Sequence, residues 1–118
     1  MSSAREVRME LAEPAKRLRE EIPDVVESYA ALQRAVMSDG ALSTKVKELI
    51  ALAISATKQC DGCVAAHGRG AAREAATEAE VAEAMGVVIL MNGGPGTVWG
   101  PRAQAAYREF ADGATLHS

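Results

Sequence analysis

The fold of this chain is decided by residues 43–67, which read STKVKELIALAISATKQCDGCVAAH. The first half of the stretch has apolar side chains at three- and four-residue spacing, which predicts a helix over about 44–57. Ser43 is a suitable N-cap for this helix. Because Leu52 and two alanines lie outside the main stripe, the helix should be buried on more than one side. The main stripe consists of Val46, Leu49, Ile50, Ala53 and Ile54.

The second half of the stretch holds both cysteines of the chain and one of its two histidines. If residues from Cys60 onward are helical, steps of about 100° bring Cys60, Cys63 and His67 onto one stripe. The unpaired N–H groups of a helix start favour thiolate over thiol. The spacing lets the sulfurs form a disulfide, and it lets His67 exchange a proton with Cys63 directly or through one water. The pattern therefore predicts a redox site.

Two other interpretations of these residues remain open. Cys-x2-Cys-x3-His resembles part of a zinc site, with Glu48 as a fourth ligand, although structural zinc usually joins two separate segments. Alternatively, the two cysteines and the histidine are core side chains without chemistry. Periodicity alone predicts that Glu48 is a solvated carboxylate on a second face of its helix.

The composition excludes several classes of protein. The 118 residues indicate one domain, and a net charge of -3 with scattered Lys and Arg gives no basic field for nucleic acid. The longest apolar stretch, around residues 87–91, is far shorter than the about 20 residues that span a bilayer. The first ten residues are charged and lack the apolar region of a signal peptide, so a cytoplasmic location is expected. In a reducing compartment a close cysteine pair is typical of catalytic or metal sites.

Two helices are predicted before this stretch. Residues 2–20 read as a charged helix, which Pro14 should kink or split. Pro23 suits the first turn of the next helix, and Gly40 should end it in a left-handed cap. A buried face is predicted for this second helix by the spacing of Val25, Val26, Tyr29, Leu32, Ala35 and Val36.

Two further helices are predicted after the motif helix, which should run to about Ala76. Thr77 and Glu80 form a capping box that starts a helix ending near Leu90. The glycine-rich residues 92–96 should break the chain there.

The last helix is predicted over about 101–111, with Ala103, Ala106, Tyr107 and Phe110 inward. Residues 113–118 should be frayed, with His117 inert. No alternating strand pattern is present, so the predicted class is all-α. Aromatic residues make up only 3% of the chain and alanine replaces them. Such a thin core hints at self-association.

The sequence resembles the carboxymuconolactone decarboxylase family and, within it, the alkylhydroperoxidase D-like branch. The resemblance rests on residues 47–53 (KELIALA), on the Cys60-to-His67 motif and on residues 91–95 (MNGGP). Its most specific element is Glu48, which lies twelve residues before the first cysteine. The resemblance covers residues 22–112, which form the expected family domain. The helical arm over 1–21 and the frayed tail over 113–118, both predicted from the residues themselves, lie outside it.

The resemblance implies an all-helical bundle assembled as a homotrimer or homohexamer. It also implies a thiol peroxidase or disulfide reductase with no bound cofactor, which acts on a hydroperoxide or disulfide substrate. The implied reductant is an external dithiol, which is a dihydrolipoyl protein in the well-studied members. Carried over to this chain, Cys63 resembles the peroxidatic cysteine and Cys60 the resolving cysteine. Glu48 and His67 resemble the proton relay.

One position departs from that pattern. Peroxidase members carry a second histidine immediately before the peroxidatic cysteine, and here Gly62 stands there and cannot relay a proton. Decarboxylases of the family generally lack the cysteine pair. A thiol-dependent peroxidase is therefore expected, and the alternatives are a lyase that uses His67 as acid and base and a non-enzymatic redox-sensing oligomer.

Overall fold

Residues 2–117 fold into a bundle of six α-helices. The computed structural model describes the backbone of residues 2–117 and the side chains of residues 2–111. Within that part of the chain no strand is present, so the predicted all-α class is confirmed. The helices are α1 (Ala4–Glu21), α2 (Pro23–Met37), α3 (Thr44–Thr57), α4 (Asp61–Arg73), α5 (Glu78–Asn92) and α6 (Gly94–His117).

Helix α4 lies at the centre of the bundle. It packs against α1, α3 and α6, while α5 packs against α3 and α6. Gly68 allows α6 to approach α4 closely, since a Cβ there would lie 3.0 Å from the backbone nitrogen of Tyr107. The largest fully buried side chains are only Leu52, Val64 and Val81. The core is therefore thin, and each of its small side chains buries little apolar area.

The N-caps predicted from sequence are present. The Ser43 hydroxyl accepts a hydrogen bond from the backbone N–H of Val46 at the start of α3. At the start of α5, Thr77 and Glu80 form the predicted capping box. These local signals therefore fix the first residues of α3 and α5.

Two prolines lie inside helices, although the sequence predicted that one would kink or split its helix and that the other would start its helix. Pro14 does not split α1, which is helical from Ala4 to Glu21. The residues around Pro14 are exposed, so water can bond the carbonyl that the proline leaves unpaired. Helix α6 begins at Gly94 and contains Pro101, so the break after α5 is confined to Gly93, which has φ 65°.

The apolar face predicted for α2 is exposed, and the main stripe predicted for α3 is covered only in part, with Leu49 and Ala53 packed against the core. No residue of α2 is buried, and Tyr29 and Leu32 are 69% and 59% exposed. No member of the α3 main stripe is buried, and Ile54 is 51% exposed. Periodicity shows which faces are apolar but does not show which neighbour covers them. The side of α3 that is buried carries Glu48, Leu52, Ser55 and Ala56.

The end of α2 also differs from the prediction. The helix stops at Met37, and Gly40 does not adopt a positive φ. The last carbonyls of α2 instead accept side-chain hydrogen bonds from α3. Lys47 Nζ lies 2.8 Å from the carbonyl oxygen of Val36, and Thr44 Oγ1 lies 2.7 Å from that of Met37. Side chains of α3 therefore satisfy the C-terminal carbonyls that a glycine cap would otherwise satisfy.

Candidate thiol–disulfide site

A tight turn between α3 and α4 places the first cysteine. Gln59 is left-handed, with φ 55°. The N–H of Cys60 donates to the carbonyl of Ser55 at 3.2 Å, and the N–H of Gln59 donates to that of Ala56 at 3.1 Å. This pair of bonds is a Schellman motif. Sequence reasoning missed it because glycine is the usual residue in this conformation.

The two cysteines form a disulfide at the N-terminus of α4. Cys60 is the N-cap, and its Sγ accepts from the N–H of Cys63 at 3.2 Å. The Cα atoms are 5.2 Å apart. Cys63 is exposed whereas Cys60 is half-buried. After reduction, the partial positive charge of the helix start stabilises a thiolate at either sulfur.

Glu48 on α3 contacts His67 on α4. Glu48 Oε2 lies 3.3 Å from His67 Nδ1. Glu48 is 7% exposed and the His67 side chain is 22% exposed, so water weakens this interaction less than it would at the surface. Because Nδ1 faces the carboxylate, Nε2 is the ring nitrogen left for proton transfer. The prediction of a solvated Glu48 from periodicity is wrong, because this side of α3 packs against α4.

Gly70 leaves the space that the Glu48 carboxylate occupies. A Cβ built at position 70 would overlap Oε2 and Cδ of Glu48. Hydrogen is therefore the only side chain that fits at position 70 while Glu48 keeps its place beside His67. The sequence signal for this role is a glycine three residues after the motif histidine.

Two clefts reach this pair from the side of α2. A cleft of about 350 Å³ is lined by residues of α2, α3 and α4, among them Glu48 and Gly70. A second cleft of about 230 Å³ is mainly apolar and reaches His67. Helix α2 therefore forms a wall over the pair. The residues that line the second cleft are Tyr29, Leu32, Gln33, Val36, Met37, Ala51 and His67.

Gly62, the position that departs from the family pattern, lies against α1. A Cβ at position 62 would be 3.0 Å from Cδ1 of Leu11. Any side chain there would require Leu11 to move, and a histidine would require a larger shift. The N-terminal arm is thus a direct neighbour of the thiol motif.

Three observations concern the remaining predictions for these residues and for His117. Within residues 2–111, no three His, Cys, Asp or Glu side chains are placed to hold a metal ion. The core interpretation does not fit Cys63, which is exposed. The side chain of His117 lies outside the described residues, so its inert role stays a prediction.

A membrane-spanning helix is also absent from the part of the chain that the structure describes. None of its helices is both long and apolar enough to cross a bilayer.

Comparison with known proteins identifies the family. The model of the carboxymuconolactone decarboxylase family matches residues 23–112. This chain belongs to the carboxymuconolactone decarboxylase family. The fold agrees with a crystal structure of an apo carboxymuconolactone decarboxylase family protein from Legionella pneumophila, with a TM-score of 0.88 at 32% identity. That match covers 92% of this chain and 96% of the Legionella chain.

Two curated relatives are similar over most of their length. An uncharacterized protein of Cupriavidus necator is 38% identical over 85 residues, which are 72% of this chain and 75% of the relative. Uncharacterized protein 4 in the cox locus of Paracoccus denitrificans is 38% identical over 88 residues, or 75% of this chain and 78% of the relative. The resemblance to the carboxymuconolactone decarboxylase family is therefore confirmed.

Proposed function

We propose that this protein is a thiol-dependent oxidoreductase of the alkylhydroperoxidase D-like branch. It reduces hydroperoxides through a disulfide cycle of Cys63 and Cys60, assisted by Glu48 and His67. One observation carries the proposal. The cysteine pair, at disulfide distance, lies at the start of α4, and the motif histidine on that helix contacts the buried carboxylate of Glu48 on α3.

In the first step, the Cys63 thiolate attacks the O–O bond of the peroxide. The sulfur gains one oxygen and becomes a sulfenic acid, and the alkoxide leaves and takes a proton to become an alcohol. His67 lies one turn after Cys63 on the same side of α4. With Nδ1 held by Glu48, Nε2 takes the thiol proton and then gives it to the leaving alkoxide. The exposure of Cys63 supports its role as the attacking sulfur.

In the second step, the Cys60 thiol condenses with the sulfenic acid on Cys63. A disulfide forms and water leaves. The Cα separation of 5.2 Å lies inside the range that disulfides use, so the backbone need not rearrange.

In the third step, an external dithiol attacks the disulfide and restores both thiols through a mixed disulfide. The reductant is proposed to be a dihydrolipoyl protein, and no bound cofactor is needed. A reducing cytoplasm would sustain this cycle.

We further propose that the protein works as a homotrimer or homohexamer. On α2 the exposed Val25, Tyr29, Leu32 and Val36 recur at steps of four, three and four residues, which is the spacing of helices that pair. The charged Glu27 and Arg34 lie away from this face and form an ion pair, with 3.1 Å between Glu27 Oε1 and Arg34 Nη2. The positions that flank the apolar face carry no charge, so a second copy meets no like charges there. They are Val26, Ser28, Gln33 and Ala35.

Peroxide consumption in the presence of a dihydrolipoyl reductant tests the proposed activity. Wild type should consume a small organic hydroperoxide with many turnovers, whereas Cys63→Ser should lose that turnover. Unchanged consumption by Cys63→Ser would overturn the proposal. Decarboxylation of a muconolactone that persists when both cysteines are serine would instead support the lyase alternative.

A further inference from the structure

A cleft between α1, α4 and α6 is lined by three arginines and, among residues 2–111, by no carboxylate. Its volume is about 420 Å³, and its lining consists of Arg5, Arg8, Met9, Ala12, Arg69 and Phe110. The chain as a whole has a net charge of -3, so its average charge does not account for this cluster. We propose that the cleft binds a small organic phosphate, at a site separate from the cysteine pair.

In the part of the chain whose side chains the structure describes, Arg8 and Arg69 have no acidic partner. The residues three and four positions away from Arg8 and Arg69 on their helices include no Asp or Glu. Among the described residues, neither guanidinium makes an ion pair or a hydrogen bond. Two uncompensated guanidinium groups match the charge of a phosphate monoester dianion, and their planar donors match its oxygens.

The surroundings of Arg69 make this positive charge costly in the absence of an anion. Burial lowers the pKa of Arg69 first, and the nearby cations of Arg8 and Arg73 lower it further. Arg69 and Arg73 are also four residues apart on α4, where like charges repel. Because Arg69 is half-buried, solvent and salt screen the repulsion between these cations less than they would at an exposed site. An anion bound in the cleft would relieve that repulsion.

The rest of the cleft supplies a fixed wall and an apolar surface. Arg5 is held in place, because its Nη2 donates to the carbonyl of Glu109 at 3.1 Å and its guanidinium lies 4.7 Å from the Phe110 ring centroid. Met9 is 77% exposed beside these groups. The phosphate would therefore lie between Arg8 and Arg69, with the apolar part of the ligand against Met9 and Phe110.

Titration of the full chain with phenyl phosphate, followed by calorimetry at constant ionic strength, tests this site. Arg8→Gln and Arg69→Gln should each weaken binding by about tenfold or more, because each removes a charge-assisted bond. The matched control is Arg19→Gln, which removes the same charge from α1 about 16 Å further along the helix. It should bind as wild type does. Inorganic phosphate and benzoate should both bind more weakly than phenyl phosphate.

Several results would overturn the proposal. These are the absence of saturable binding in the millimolar range, an equal loss of affinity in Arg19→Gln, and benzoate binding as tightly as phenyl phosphate. A melting temperature of unliganded Arg69→Gln at or above that of wild type is expected, because repulsion is removed. A clear fall would contradict the uncompensated charge on which the site rests. The affinity should not change when both cysteines are serine, so this test is independent of the proposed thiol cycle.

Discussion

Replacement of Gly70 by alanine should separate Glu48 from His67. In an open helix interior, glycine to alanine gains about 1 kcal/mol of stability. At position 70 the new Cβ would overlap the Glu48 carboxylate, which must then leave its place beside His67. Loss of a hydrogen bond to an ionised group costs about 1.5–3 kcal/mol. The overlapping atoms are the far end of the flexible Glu48 side chain, which can swing away, so the overlap itself adds little. After the gain of about 1 kcal/mol from alanine, Gly70→Ala should lower the free energy of unfolding by about 0.5–2 kcal/mol.

Urea unfolding of four proteins measures this coupling directly. They are wild type, Gly70→Ala, Glu48→Ala and the double variant. With Glu48 shortened the overlap is gone, so Gly70→Ala should then stabilise by about 1 kcal/mol. Gly86→Ala on α5 is the matched control, since a Cβ there meets nothing within 4 Å, and it should stabilise in either background.

The same four proteins report on the chemistry. If the Glu48–His67 contact activates Cys63, alkylation of the reduced protein at neutral pH should be slower in Gly70→Ala than in wild type. The reasoning is refuted if Gly70→Ala stabilises wild type, or if it destabilises equally with and without the Glu48 side chain.

Three other changes give sharp expectations. Gln59→Gly should raise the free energy of unfolding in urea by about 1 kcal/mol, because it relieves a left-handed conformation that side chains disfavour, and a decrease would contradict this. Leu32→Glu should shift sedimentation velocity towards the monomer with unchanged helicity, and an unaltered oligomer would rule out the α2 face as the contact. The pKa of Glu80 is lowered, chiefly by the hydrogen bond from the Thr77 backbone and then by Lys45. Its folded-state pKa lies below the unfolded one, so its contribution is present above the ordinary value of 4.5 and is lost as the pH falls through the folded value. Glu80→Gln should therefore flatten the acid limb of the stability profile, and an unchanged limb would show that the lowered pKa does not contribute.

Local signals predicted much of the secondary structure. Ser43 and Thr77 marked the starts of α3 and α5, because each supplies a side-chain oxygen to a free backbone N–H. The ends of helices were harder to predict. Gln59 and Ala75 adopt the left-handed conformation after α3 and α4 although neither is glycine. A residue other than glycine in this conformation is uncommon, so residue type alone does not indicate that the helix ends there.

The candidate site was predictable only in part. Cys63 and His67 lie one turn apart on α4, so the helical period places them on one side of that helix, whereas Cys60 is the extended N-cap and is joined to Cys63 by the disulfide. Glu48 lies on another helix, and periodicity there pointed to solvent. Its contact with His67 depends on which face of α3 packs against α4, and on the absence of a side chain at Gly70. These are tertiary facts, which only the resemblance to known family members anticipated.

Mass spectrometry of the protein after stoichiometric peroxide tests the central claim most directly. Reduced wild type should lose about 2 Da as the disulfide forms, and a dithiol should reverse the change. Cys60→Ser should stop at a sulfenic acid on Cys63, with a gain of about 16 Da, because no resolving thiol is present. The proposed cycle would be contradicted if Cys63→Ser, which keeps only Cys60, gained the oxygen while Cys60→Ser did not. Peroxide consumption that Cys63→Ser leaves intact would contradict it as well.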